Sequence, residues 1–258
     1  MARSGTDRVL QIHVSETFGD PLELEGSRVR WAVRTPRRVA SGVSQLTKLP
    51  RADEVIVVLP VARVCFVRAQ LPAGPPAKLA KFTPFAIEDL IVSPPEDVCT
   101  TVLDDGSDGA HLIAVLDRDW LTSVVRVLKE AGFPPDRAIV ESALVDDEPG
   151  VWTVVWSKTG GFAVTDGIEA IALDRSNDDR PPLALKLAAD ERRARGAGPR
   201  AVRVLLADEG ESVDATRWSG SLHAPVTSGG QWEPEKIDAR TIDCPDLLPG
   251  GHDGAWRS

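Results

Sequence analysis

The chain has 258 residues, 42% apolar and 27% charged, which is enough for one large core or two to three small ones. Its 30 Lys and Arg stand against 39 Asp and Glu. The resulting net charge of −9 speaks against non-specific binding to nucleic acid or acidic lipid, and leaves open an acidic face for a basic partner.

Strands are expected first, at "RVLQIHV" (8–14), the alternating "RVRWAV" (28–33), "VIVVLP" (55–60) and "RVCFVRAQL" (63–71). The unbroken apolar run at 55–60 marks a strand buried on both faces. In 63–71, Cys65, Val67, Ala69 and Leu71 share one face. "KFTPFAIEDLI" (81–91) reads as helical despite its proline: Thr83 caps a helix that begins at Pro84, and Leu79 and Phe82 belong to a short preceding helix. Strands at 98–105 and 111–117 follow, joined through "GSDG". The clearest helix comes next. Asp117 caps it, Leu121, Val124, Val125 and Leu128 recur at helical spacing, and Gly132 stops it before Pro134 and Pro135. "RAIVES" (137–142) returns as a strand, and 151–173 reads as three short strands turning at "KTGG" and "DG". A helix over 183–194, a basic loop at 192–200 read as solvated surface, and a buried strand at 201–209 complete the readable order. Beyond about 210 the signal weakens, with Trp218, Trp232 and Trp256 scattered among Gly, Pro and Ser.

Cys65, Cys99 and Cys244 lie far apart, and His13, His111, His223 and His252 form no HxxxH or HExxH pair. Reduced thiols and no metal centre are therefore expected. "MARSGTDRVLQIHV" lacks the apolar centre of a signal peptide, and the longest apolar stretch, 55–67, is too short to span a bilayer. The chain as given reads as soluble.

Three stretches together resemble the cytoplasmic region of the type II secretion system protein L family. "PFAIEDLI" (84–91) looks like its Pro-aromatic-x-x-Glu-Asp helix, and "RDWLTSVVRVLKEAGFPPDRAIVES" (118–142) like its Trp-Leu helix ending in Ala-Gly. "CPDLLPGG" (244–251) is similar to the Asn-Leu-Leu-x-Gly segment before the family's membrane helix, with Asp246 where asparagine is usual. The resemblance spans roughly 54–142 and the C-terminal stretch. It implies an α/β, actin-like (RNase H-like) fold of three subdomains with a degenerate nucleotide site. The expected division is 1–60 plus 132–146, an inserted subdomain at 61–131, a second actin-like subdomain at 147–250, and a flexible tail at 251–258 leading toward a membrane helix absent from this chain. The order of 232–258 is left open by the sequence.

The same resemblance implies a scaffold at the cytoplasmic face of the bacterial inner membrane. It would bind the N-terminal domain of the type II secretion ATPase and the other inner-membrane platform subunits, and a homodimer is left open. No nucleic acid, cofactor or metal is expected. Active actin-like proteins hold Mg-ATP between two Gly-rich turns, each bearing an aspartate. Here the turns read "SETFGD" and "SKTGGF", without an aspartate at either strand end, and no P-loop occurs. No catalytic residue is therefore assigned. Glu88 and Asp89, neighbours on a helix, point about 100° apart and converge poorly on one substrate. Structural or solvated roles are the plainer reading for them, as burial in the core is for Phe85 and Trp120. Together these four residues are the candidates for a partner-binding surface. The alternatives are an actin-like ATP-binding protein or sugar-kinase-like enzyme, or an actin-like adaptor of pilus assembly; the missing aspartates count against each.

Overall fold

A computed structural model describes residues 8–19, 28–72, 74, 76–104, 106, 109–175 and 180–248. The expected tail at 251–258 and Trp256 lie outside them. The chain divides into two units, residues 1–141 with 235–258, and residues 142–234.

The first unit is built on a five-stranded sheet of β1 (Val9–His13), β2 (Arg28–Thr35), β3 (Arg38–Gln45), β4 (Glu54–Leu59) and β8 (Arg137–Val140), in the order β3-β2-β1-β4-β8. β1, β2 and β3 run antiparallel in sequence, while β4 lies parallel to both β1 and β8. The continuous apolar run of β4 is explained by this central position, for five of its six residues are buried. The sequence order leaves room for a third strand before β4 without assigning its residues, and β3 fills it. Its residues, "RVASGVSQ", are small or polar and mostly exposed, as suits an edge strand.

Between β4 and β8 the chain inserts a three-stranded antiparallel sheet, β5 (Cys65–Gln70), β7 (Ala110–Asp117) and β6 (Val98–Val102), in the order β5-β7-β6. Helix α1 (Pro76–Ala86) packs on it, with Leu79 and Ile87 joining Ala69, Leu71, Val98, Ile113 and Val115 in one cluster. Helix α2 (Arg118–Glu130) then leads back to β8. Asp117 caps α2 as expected, accepting from the Trp120 amide at 2.7 Å, and Gly132 follows it at φ 84°.

The second unit repeats the sheet plan. β9 (Val151–Ser157), β10 (Gly160–Asp166), β11 (Glu169–Leu173), β12 (Ala201–Leu206) and β13 (Val226–Gln231) lie in the order β11-β10-β9-β12-β13, with the last two parallel to β9's direction. Helix α3 (Leu183–Ala194) connects β11 to β12, and α4 (Ala215–Leu222) connects β12 to β13. Trp218 of α4 meets Trp156 edge-on at 5.7 Å and Trp232 meets Phe162 at 6.1 Å, so two tryptophans of the weakly patterned region are core anchors.

The sequence reading placed residues up to 250 in the second actin-like subdomain. The structure groups residues from 235 onward with the first unit. The cause is three arginines of the first sheet: Arg34 donates to the Glu235 carbonyl at 2.6 Å, Arg30 lies 3.7 Å from its carboxylate, and Arg137 binds the carbonyls of Ile242 and Cys244.

Candidate functional site

Residues 82–97 form an exposed apolar ledge with an acidic margin, and Pro84 explains its shape. Pro84 lies inside α1 instead of opening a helix, and Thr83 is not its cap. Without an amide hydrogen, Pro84 ends the regular ladder within a turn, while the Thr83 hydroxyl donates back to the Leu79 carbonyl at 2.9 Å. The chain then tightens into a single 3-10 turn over Glu88–Leu90, closed by the Leu90 amide on the Ile87 carbonyl at 2.8 Å. Ile87 is fully buried in the cluster on the β5-β7-β6 sheet and anchors the turn from below.

The turn splays its other side chains outward. Phe85 is 75% exposed, and Phe82, Leu90 and Val92 are exposed with it. Arg118 holds the far side of the ledge in place by donating to the Glu96 carbonyl at 2.8 Å and the Val98 carbonyl at 2.7 Å. Glu88 and Asp89 are exposed on the 3-10 turn and make no ion pair among the described residues. Trp120 does not belong to this surface. It is only 5% exposed, its indole N–H donates to the Phe18 carbonyl at 3.0 Å, and the Arg63 guanidinium lies over its ring at 5.3 Å. The tryptophan that resembled a partner anchor is a core residue tying α2 to the turn after β1. Leu90 and Val92, absent from the sequence candidates, take its place. Their signal was the apolar pair left over once Ile87 and Ile91 supply the buried face.

In both turns compared above with phosphate turns, described backbone groups have partners within the chain. After β1, the Phe18 amide donates to the Ser15 carbonyl at 3.2 Å, and the Gly19 carbonyl receives the Ser123 hydroxyl at 3.0 Å. In the β9–β10 turn, the Lys158 amide donates to both carboxylate oxygens of Glu211, at 3.0 and 3.2 Å, and the Thr159 amide donates to the Ser157 hydroxyl at 3.2 Å. A carboxylate thus stands where this turn would receive an anion. Gly161 allows the hairpin's tight approach, since a Cβ there would lie 2.1 Å from the Val155 carbonyl oxygen.

One titratable pair sits at the carboxyl ends of the first sheet's parallel strands. Burial of the His13 ring, with Arg30 adding to it, pushes its pKa down to about 3; Gln11 donates to its Nε2 at 2.8 Å. Burial pushes the Glu141 carboxyl up to about 7, against the lowering pull of the Val61 amide, which donates to it at 2.8 Å, and of Arg30. Among the described residues no group of three or more His, Cys, Asp or Glu could hold a metal, and the three cysteines are free thiols.

Comparison with known proteins gives consistent results. The family described as type II secretion system (T2SS), protein L, matches residues 27–178, more than half of the chain. A type II secretion system protein L of Vibrio cholerae serotype O1 is 27% identical over 150 residues, which cover 52% of this chain and 37% of the relative's own length. The fold is similar to that of the cytoplasmic domain of EpsL, an inner-membrane component of the type II secretion system of Vibrio cholerae (TM-score 0.64, 18% identity, 88% of this chain and 91% of that chain). It is also similar to a chain of the PilM–PilN type IV pilus biogenesis complex (TM-score 0.61, 12% identity, 91% of this chain and 93% of that chain). A Bacteroides thetaiotaomicron protein with an actin-like ATPase fold and unknown function aligns with a TM-score of 0.50 at 11% identity, over 86% of this chain and 91% of that chain. The architecture is actin-like.

Proposed function

The chain belongs to the type II secretion system protein L family, and on that premise we propose that it is a non-enzymatic adaptor recruiting the secretion ATPase to the inner-membrane platform. Its contact is the ledge of Phe82, Phe85, Leu90 and Val92, flanked by Glu88 and Asp89. The observation that carries this reading is four exposed apolar side chains in the stretch that holds two exposed carboxylates, which make no ion pair among the described residues. Scattered exposed apolar residues need no explanation, but four of them between 82 and 92, at the end of α1 and on the turn that Ile87 anchors, do. Burial of the aromatics supplies affinity, and the carboxylates set register and favour a basic complement.

The partner is the N-terminal domain of the ATPase, and the place of action is the cytoplasmic face of the inner membrane. Among the described residues no helix is long and apolar enough to cross a membrane. Attachment to the platform therefore rests on segments outside them or on other platform subunits. A non-enzymatic role is favoured by the Glu211 carboxylate in the β9–β10 turn and by the missing aspartates at both turns.

Co-purification with the cognate ATPase N-terminal domain tests the reading. The wild-type chain is expected to retain that domain, and Glu88→Lys with Asp89→Lys to lose it while the melting temperature is kept. Absence of a wild-type complex would end the adaptor reading.

A further inference from the structure

The β2–β3 hairpin lies at one edge of the first sheet, and its charge departs from that of the whole chain. Residues 28–51 carry six arginines and one lysine and no Asp or Glu, in a chain of net charge −9. β3 ends the strand order β3-β2-β1-β4-β8, so no described strand pairs with its outer side. An edge of this kind leaves every second amide and carbonyl without a ladder partner.

The register sets what surrounds that edge. Cross-strand partners share a face, and here Val39 stands opposite Arg34, Val43 opposite Arg30 and Gln45 opposite Arg28. Val39 is 48% exposed and Val43 51%, while Ala40, Gly42 and Ser44 alternate with them at lower exposure. Trp31 packs at Gly42, where a Cβ would lie 3.4 Å from its ring, and so holds the strand in place. Arg30 and Arg34 are engaged with Glu235. Arg28 reaches across to β3 and donates to the Val43 carbonyl at 3.2 Å. Arg37 and Arg38 stand exposed at the hairpin tip. Arg28, Arg37 and Arg38 make no ion pair among the described residues. The edge therefore has cations at both ends and two exposed valines between them.

Charge on an edge strand can serve only to prevent pairing. Here its single sign adds a preference. A second copy offering the same edge would bring arginines together at both ends, which disfavours it. Anionic lipid or nucleic acid would meet the arginines but offer nothing to the amides and carbonyls of β3. An extended peptide bearing carboxylates meets the arginines, the backbone and the valines at once. An amide of such a peptide can also replace Arg28 at the Val43 carbonyl and release the guanidinium to a carboxylate.

We propose that the β3 edge takes an extended acidic segment of a partner protein by strand addition. Its apolar side chains lie at alternate positions beside Val39 and Val43, and its carboxylates lie at Arg28 and at Arg37 and Arg38. The site is independent of the ATPase-binding ledge, which uses other residues of other elements.

Fluorescence anisotropy of the full chain with the labelled peptide Glu-Val-Thr-Val-Thr-Val-Asp tests this, read together with hydrogen exchange. Saturable binding that weakens with salt is expected, with amides of residues 38–45 gaining protection. Arg28→Glu with Arg38→Glu should weaken binding at least about tenfold while the melting temperature is kept. The same variant should prefer a peptide with Lys in place of Glu and Asp. Of two peptides N-methylated at alternate amides, the one methylated on the side facing β3 should fail to bind, and the other should bind normally. A peptide that does not bind, binding indifferent to both sets of N-methyl groups, or protection confined to other strands overturns the site. Phosphatidylglycerol vesicles that bind the wild type but not the double variant, without binding of the peptide, would assign the arginines to a membrane and likewise overturn it.

Discussion

His13 and Glu141 set opposite slopes in the pH dependence of stability. Folded Glu141 holds its proton up to about 7, whereas the unfolded group releases it near 4.5, so its contribution falls as pH rises through that window. The unfolded His13 ring holds a proton up to about 6.5 and the folded ring only near 3, so its contribution falls as pH drops through that range. The two nearly cancel where the windows overlap. We expect Glu141→Gln, which keeps an oxygen for the Val61 amide, to gain stability over wild type between about pH 5 and about pH 8 by on the order of 1–3 kcal/mol. Urea unfolding at both pH values measures this, and a difference that does not change with pH would show that Glu141 titrates normally. His13→Asn should flatten the loss on the acid side in the same assay.

At the scale of elements, the β9–β10 hairpin is the most sensitive to a single methyl group. A Cβ at Gly161 would meet backbone, the Val155 carbonyl oxygen at 2.1 Å, and neither strand of a central pair has room to yield. Gly161→Ala is expected to destabilise the second unit by at least about 3 kcal/mol, whereas Gly196→Ala, at φ 76° with open space around it, should cost about 1 kcal/mol of backbone strain. Thermal unfolding of the two variants separates close approach from strain; similar losses would contradict the packing argument. Legibility at this scale followed chemistry. α2 was readable because Asp117, its apolar repeat and Gly132 agree. β3 was not, because an edge strand of small and polar residues has no buried face to impose a period. α4 was missed because "ATRWSGSL" dilutes its two buried residues, Trp218 and Leu222, with Ser and Gly. Of the ledge, Phe85, Glu88 and Asp89 were candidates in the sequence; core burial, the plainer reading of both aromatics, holds for Trp120 and fails for Phe85. The bond of Trp120 to Phe18 that separates the two spans 102 residues, a distance that local patterning does not register.

For the whole molecule, two five-stranded sheets share one strand plan, and the first carries a three-stranded sheet and α1 inserted between β4 and β8, which present the ledge. The actin-like frame keeps its architecture, and in the β9–β10 turn the Glu211 carboxylate takes the Lys158 amide. Mg-ATP is accordingly expected to leave the melting temperature unchanged, whereas a ligand at 100 times its Kd would stabilise by about 2.7 kcal/mol. The central claim is that the ledge is the ATPase contact. Isothermal titration of the chain with the N-terminal domain of its cognate secretion ATPase tests it most directly, comparing wild type with Phe85→Ser at two salt concentrations. The account predicts saturable binding that weakens with salt through Glu88 and Asp89 and a loss of at least about 2 kcal/mol, roughly thirtyfold, in the Phe85→Ser chain. Wild-type affinity retained by a folded Phe85→Ser chain would contradict it.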